Sequence, residues 1–117
     1  MSRPIGPYTP IVRAGDWLVV SGQVGQVDGA LVEGGVQGQV TQAVANLAHL
    51  LDGEGASLTD VVKTTVFLTD IADYAAMNEA YTAAFGDHRP ARSAVAVAGL
   101  PLGALVEVEA WARRGGE

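Results

Sequence analysis

The sequence contains no cysteine and few cations. The absence of cysteine from the 117 residues excludes disulfide bonds, thiolate metal sites and a cysteine nucleophile. The chain carries 7 Lys+Arg against 13 Asp+Glu, which gives a formal net charge of −6, and its longest basic run is Arg113-Arg114. Because affinity for nucleic acids comes mostly from clustered cations, this charge balance argues against a nucleic-acid partner.

Long apolar stretches are missing as well, so the sequence predicts no transmembrane helix and no membrane partner. The first residues, Met1 to Gly6, lack the apolar core of a signal peptide, and we therefore expect a cytoplasmic protein. Hydrophobic residues make up 49% of the chain, which is enough for a core without disulfides or metals. The length fits one domain, residues 1–117, with no linker or internal repeat.

Glycine and proline divide the chain into short elements. Gly15-Asp16 predicts a tight turn that joins strands at residues 11–13 and 17–21 into a hairpin. The segment from Val24 to Gly35 is rich in glycine and is predicted to be irregular, with a second turn at Asp28-Gly29. The N-terminal third is therefore predicted to be a hairpin followed by a loop.

Two stretches have the apolar spacing of amphipathic helices. The first runs from Val36 to Leu51 and ends before Gly53. The second is capped by Asp73 and runs through Phe85. Between the two helices, Val61 to Thr69 is rich in valine and threonine and is predicted to be a strand.

In the last third of the chain, successive side chains alternate between two faces. This pattern predicts strands from Arg92 to Ala98 and from Ala104 to Ala112. The order β-β-α-β-α-β-β predicts an α+β fold, with one mixed sheet and two helices on one of its faces. The residues expected to face the helices are Val95, Val97, Val106 and Val108, and those expected on the opposite face are Arg92, Glu107, Glu109 and Trp111. A sheet face that carries tryptophan usually packs against another subunit, so we expect an oligomer.

Arg92 begins one of these strands, where a guanidinium can hold a carboxylate through two parallel hydrogen bonds. An ordinary ion pair with Glu107 or Glu109 across the sheet explains the same residue. The two glutamates share a strand face, so their repulsion is expected to raise the pKa of one of them and suit it to proton transfer. A solvated polar face is the alternative interpretation of the pair.

Four further polar residues carry weaker signals. Tyr8 follows a Gly-Pro turn that can present its hydroxyl to a site, and packing of its ring on the hairpin is compatible with this. Ser21 ends a strand with no base nearby in sequence, which is typical of a turn residue or a polar contact. His49 lies off the apolar stripe of its helix and His88 lies in a loop, so the two histidines predict no metal site.

Six motifs, taken in their order along the chain, give the sequence a family resemblance. They are Ile5-Gly6-Pro7-Tyr8, Val20-Ser21-Gly22-Gln23, Asp60 through Leu68, Met77-Asn78-Glu79-Ala80-Tyr81, Pro90-Ala91-Arg92-Ser93, and Leu100-Pro101 followed by Val106 through Ala110. Together they make the chain from Ile5 to Arg114 resemble the RidA/YjgF/L-PSP family of small enamine/imine deaminases.

The resemblance implies a chorismate-mutase-like fold and a homotrimer whose sheets line a central barrel, with the sites in clefts between subunits. It also implies hydrolysis of reactive 2-imino or 2-enamino acids, such as 2-aminoacrylate, to 2-keto acids and ammonia. The reaction implied needs no cofactor. The implied partner is a small imino or keto acid, which is the substrate or the product of this hydrolysis.

The resemblance also implies roles for individual residues. Arg92 matches the family's arginine for the substrate carboxylate, and Glu107 matches its glutamate that positions or activates the attacking water. Tyr8 and Ser21 match residues of the substrate pocket. Ala94 occupies a pocket position that often holds cysteine, which removes a reactive thiol and leaves the carboxylate anchor in place.

Three other functions remain open at this stage. A non-catalytic member of the family would use Arg92 to bind a small carboxylate, or would act as a chaperone-like regulator, and only turnover separates it from an enzyme. An endoribonuclease, a label given to some members, conflicts with the net charge of −6. A chorismate mutase on the same fold binds a dianion, for which only Arg89 offers a second cation near Arg92.

Overall fold

Two antiparallel strands joined at Gly15 and Asp16 begin the fold of this computed structural model, which describes residues 4–114. They are β1 (Ile11–Ala14) and β2 (Trp17–Val24). Gly15 has a φ of +63°, a backbone angle that residues other than glycine rarely adopt. The predicted turn is therefore confirmed, and glycine is the residue that suits its geometry. Strand β2 continues three residues beyond the predicted end.

The glycine-rich segment contains a second, very short hairpin. Its strands are β3 (Gln26–Val27) and β4 (Ala30–Leu31), and its turn is Asp28-Gly29, where both φ angles are positive. The turn was predicted from the sequence, whereas the strands were not. Strands of two residues are too short for an alternating pattern to show.

Both predicted helices are present. The first, α1 (Gly35–Asp52), exceeds its predicted range by one residue at each end. The second, α2 (Tyr74–Phe85), begins after Asp73, which is the N-cap residue as predicted. Between them lies β5 (Val61–Leu68), again within one residue of the prediction.

The remaining strands, β6 (Ala91–Ala96) and β7 (Val106–Arg113), complete a five-stranded sheet of order β1-β2-β7-β5-β6. Strands β5 and β6 run parallel, since α2 forms the crossover between them, and the other pairs are antiparallel. Strand β6 is therefore an edge strand. The predicted α+β architecture with one mixed sheet is confirmed.

The core lies between the two helices and one face of the sheet. The sheet residues buried there include Leu18, Val20, Val66, Leu68, Val106, Val108, Ala110 and Ala112. Glu107, Glu109 and Trp111 alternate with them on β7 and lie on the opposite face, which we call the outer face. No helix within residues 4–114 is long and apolar enough to cross a membrane.

The predicted faces of β6 are wrong. Arg92 pairs with the buried Thr64 and Ala94 pairs with Val66, so both lie on the helix-facing side of the sheet. Val95 lies on the outer face and is 44% exposed. Both faces of this strand carry small apolar residues, so the sequence pattern could not show which face would meet the helices.

The placement of Val97 differs from its prediction as well. Val97 follows the end of β6, and its amide donates a hydrogen bond to the carbonyl oxygen of Leu68 at 2.7 Å. It is half-buried and outside the buried core. The apolar face beneath the helices therefore comes from β2, β5 and β7, while β6 contributes Ala94 at its margin.

Candidate active site

A cavity of about 220 Å³ opens where β2 passes β7. Its lining residues come from the N-terminal segment, from β2 and β3, from the turn before β7, and from β7 itself. They are Ile5, Tyr8, Ser21, Gly22, Gln23, Val24, Gln26, Pro101 and Glu107. Three of the predicted site residues, Tyr8, Ser21 and Glu107, are thus brought together.

An irregularity in β2 shapes the cavity. The register between β2 and β7 shifts between Val20 and Gln23, as in a β-bulge. A Cβ added at Gly22 would overlap the carboxylate of Glu107, so the Glu107 side chain lies against the bare glycine backbone. Bulges commonly re-aim side chains beside active sites, and here the bulge makes room for a carboxylate.

Glu107 has the electrostatics of a proton-transfer group. Burial raises the pKa of the Glu107 carboxyl above its ordinary range, and the charge of Glu109 on the same strand face raises it further. The sequence predicted a raised pKa from repulsion between the two glutamates. The structure adds that burial in the cavity wall is the larger cause.

Ser21 holds the N-terminal segment in place over the cavity. Its hydroxyl donates to the carbonyl oxygen of Thr9 at 2.7 Å, and its amide donates to the carbonyl oxygen of Pro10 at 2.9 Å. Tyr8 lies in that segment, where its hydroxyl accepts a hydrogen bond from the amide of Ile5 at 3.3 Å. Ser21 therefore makes the polar contact that its position suggested, and it also lines the cavity.

Buried amide side chains fix the cavity wall from behind. The Asn46 side chain donates to the carbonyl oxygens of Val24 and Gln26 at 3.2 and 3.0 Å. Gln23 donates to the carbonyl oxygen of Ser21 at 3.0 Å. Since buried backbone carbonyls need donors, these bonds hold the irregular segment after β2 in one conformation.

Arg92 lies elsewhere, between the edge strand β6 and α2. One terminal nitrogen, Nη2, donates to the hydroxyl of Tyr74 at 3.1 Å, and the other, Nη1, lies 3.8 Å from the sulfur of Met77. Its guanidinium carbon is 5.5 Å from the ring centre of Tyr74 and 4.9 Å from that of Tyr81. Both distances are within the range of cation–π attraction.

The predicted site residues therefore form two groups within one chain. Arg92 lies on the helix side of the sheet and Glu107 on the outer face, and β5 separates their strands. This arrangement removes the ion pair between Arg92 and Glu107 or Glu109 as an explanation of the arginine. Ala94 packs at the margin of the core, outside the cavity lining.

Several residues of these groups were missed by the sequence reasoning. Gly22 and Gln23 stand next to Ser21 in the motif Val20-Ser21-Gly22-Gln23, so their position beside a predicted site residue could have identified them. Tyr74 was not singled out in the sequence, and Tyr81 ended one of the six motifs without a role assigned to it. On the same helix the side-chain oxygen of Asn78 is buried and, among residues 4–114, has no hydrogen-bond partner.

Neither histidine lines the cavity. His49 is exposed on α1, as predicted, and the Nε2 atom of His88 lies 2.7 Å from the carbonyl oxygen of Val61. Within the described part of the chain, no three His, Asp or Glu side chains converge in a way that could hold a metal ion.

Comparisons with known proteins agree with the fold. The family model described as Endoribonuclease L-PSP matches residues 1–114. Human 2-iminobutanoate/2-iminopropanoate deaminase is 43% identical over 113 residues, which cover 95% of this chain and 82% of the human protein.

Two solved structures are similar in both fold and sequence. RidA from an Antarctic Psychrobacter has a TM-score of 0.90 and 38% identity, covering 95% of this chain and 91% of that one. Escherichia coli TdcF with bound serine has a TM-score of 0.89 and 37% identity, covering 96% and 91%. The chain belongs to the RidA/YjgF/L-PSP family.

Proposed function

We propose that this protein hydrolyses small 2-imino acids, and enamines such as 2-aminoacrylate that tautomerise to them, to 2-keto acids and ammonia. The observation that carries the proposal is the half-buried Glu107 carboxyl, held in a small cavity with its pKa raised. A carboxyl whose pKa is raised toward the working pH is better suited to accept a proton and return it. The related human protein is named for this chemistry.

Hydrolysis of the imine uses water and two proton transfers at Glu107. Water adds to the C2 carbon of the protonated imine, Glu107 takes a proton from that water, and a carbinolamine forms. Glu107 returns the proton to the amine nitrogen, and the C–N bond breaks with its electron pair leaving on ammonia. The hydroxyl group loses its proton to solvent as the keto group forms. Since C2 is already electrophilic, the reaction requires no cofactor.

Arg92 is proposed to bind the substrate carboxylate, which orients C2 toward the water. Within one chain Arg92 and Glu107 lie on opposite sides of the sheet, so a complete site needs Arg92 from one subunit and the Glu107 cavity from another. The outer face supports such an assembly because it exposes Trp17, Trp111 and Val95. We therefore propose a homotrimer with its sites between subunits and its outer faces lining a central barrel.

A binding protein without turnover is the alternative. The related TdcF structure holds serine, an amino acid whose carboxylate would suit the same arginine. Arg92 serves binding as well as catalysis, so the position of Arg92 favours neither reading. The raised pKa of Glu107 favours the enzyme, because binding a carboxylate gains nothing from a second carboxyl in the cavity.

A trapping assay tests the proposal. An amino-acid oxidase generates a 2-imino acid in the presence of semicarbazide, which captures imine that has not been hydrolysed. We expect wild-type protein to lower the amount of trapped imine, and Arg92→Ala and Glu107→Gln to lose this effect while remaining folded. Arg89→Ala is the matched control, since Arg89 contacts the carbonyl oxygens of Gly86 and His88. No effect of wild-type protein on several imino acids would refute the deaminase in favour of the binding protein.

A further inference from the structure

Two tyrosines surround the Arg92 guanidinium, and their hydroxyls have different partners. The Tyr81 hydroxyl shares a 2.6 Å hydrogen bond with Oγ1 of Thr64, deep in the core. The Tyr74 hydroxyl instead accepts from Nη2 of Arg92 at 3.1 Å. Tyr81 is thus fixed by the protein interior, while Tyr74 uses its polar atom on the arginine.

The surroundings of Tyr74 indicate that its hydrogen bond with Arg92 does more than hold the tyrosine ring in the core. Its side chain is 42% exposed, and it lies at the first residue of α2, so core packing does little to hold the ring. An exposed tyrosine hydroxyl can be hydrated by water at little cost. Here it is directed at one specific nitrogen of the arginine.

These contacts restrict how an anion can approach Arg92. The rings of Tyr74 and Tyr81 both lie within cation–π distance of the guanidinium, and the sulfur of Met77 lies beside Nη1. The Tyr74 hydroxyl takes up one hydrogen of Nη2. A carboxylate therefore meets a guanidinium whose plane is already set, and it uses the remaining N–H groups in that plane.

We infer that Tyr74 is a positioning residue for substrate binding: its hydroxyl and ring fix the orientation in which Arg92 receives the substrate carboxylate. The inference rests on the proposed function, because it requires Arg92 to be the carboxylate anchor. Fixing the guanidinium before substrate arrives lowers the entropy cost of binding. The Tyr74 hydroxyl does not touch the reacting atoms, so it acts on affinity and leaves the chemical step unchanged.

The test is the substitution Tyr74→Phe, which removes the hydroxyl and keeps the ring. With 2-iminobutanoate as the substrate, we expect KM to rise about threefold to tenfold, the loss typical of one hydrogen bond, with kcat retained. Thr82→Val is the matched control, because Thr82 is an exposed hydroxyl residue of the same helix. Its KM is expected to equal that of the wild type. An unchanged KM in Tyr74→Phe would overturn the inference.

The variant Arg92→Lys separates the inference from the proposed function. If Tyr74 acts through the guanidinium, adding Tyr74→Phe to Arg92→Lys changes KM less than it does in the wild type. An equal rise in both backgrounds would overturn the inference, because Tyr74 would then act independently of Arg92. A wild-type KM for Arg92→Lys and for Arg92→Ala would instead refute the anchor itself, and with it the proposed site.

Discussion

Gly22 and Glu107 face each other between β2 and β7, and the missing side chain of the glycine is the space that the carboxylate fills. A methyl group at Gly22 would overlap Oε2 of Glu107. The backbone of Gly22 is not in the left-handed region, so the requirement for glycine here is steric and comes from the Glu107 side chain. The β-bulge and the proposed general acid–base group are therefore one structural unit.

Gly22→Ala is expected to displace the Glu107 carboxylate and lower kcat about a hundredfold, the usual cost of misplacing a reacting group by about 1 Å. The trapping assay at saturating imine measures this loss. Gly99→Ala is the matched control, because a Cβ at Gly99 meets nothing within 4 Å and its φ is not positive. Wild-type turnover in Gly22→Ala would mean that the position of the carboxylate is unimportant for the reaction.

The acid limb of the pH–rate profile is expected to follow Glu107. The ionised carboxylate accepts the proton of water, so kcat/KM falls as the pH drops through the raised pKa of this group. Glu109→Gln removes the repulsion between the two glutamates, which lowers the pKa of Glu107 and moves the acid limb to lower pH. The shift is modest, because burial is the larger cause of the raised pKa and remains.

The measurement is kcat/KM from about pH 4, near the ordinary pKa of a glutamate, to about pH 8, with the spontaneous hydrolysis of the imine subtracted at each pH. Glu107→Gln is expected to abolish the limb together with most of the activity. An acid limb at the same pH in wild type and Glu109→Gln would show that the charge of Glu109 does not reach the group that titrates.

Much of the fold could be predicted from the sequence, since α1, α2 and the first hairpin have local signals. Helical spacing, the Asp73 cap and the turn at Gly15 each depend on neighbouring residues only. The faces of β6 could not be predicted in this way. Their assignment depends on the parallel register with β5, and the connection between these strands passes through α2, so no short turn fixes it.

The candidate site also combines residues that local motifs predict with an arrangement that they do not. Tyr8, Ser21, Arg92 and Glu107 were identified from motifs, because each stands in a short run that the family resemblance covers. That Arg92 and Glu107 lie on opposite faces follows from strand order and register, which no single motif records. The hydrogen bond between Tyr74 and Arg92 joins the start of α2 to the edge strand β6 across 18 residues. It depends on how α2 packs between β5 and β6, so it could not be predicted from a local motif.

The buried hydrogen bond between Thr64 and Tyr81 predicts a coupled effect on stability. Tyr81→Phe leaves the Thr64 hydroxyl without its partner, and Thr64→Val does the same to the Tyr81 hydroxyl. Each is expected to lower the free energy of unfolding by about 1–2 kcal/mol, and the double variant by less than the sum. Urea unfolding at one fixed protein concentration measures this, because the proposed assembly would also contribute to stability. Strictly additive losses would show that the two hydroxyls are not coupled.

Sites shared between subunits predict that two inactive variants rescue each other. Arg92→Ala retains the Glu107 cavity, and Glu107→Gln retains the arginine, so a mixed trimer contains one site with both wild-type groups. Random mixing of equal amounts is expected to restore about a quarter of wild-type activity, since about three trimers in four are mixed and each rebuilds one of three sites. Co-expression of differently tagged chains, followed by the trapping assay, measures the rescue. In the purified doubly tagged fraction every trimer is mixed, so the expected activity there rises to about a third of the wild-type value. The double variant Arg92→Ala/Glu107→Gln, co-expressed with either single variant, is the control and is expected to stay inactive. Full inactivity of the mixed trimers would place both groups in sites within one chain, contrary to their positions on opposite faces of the sheet.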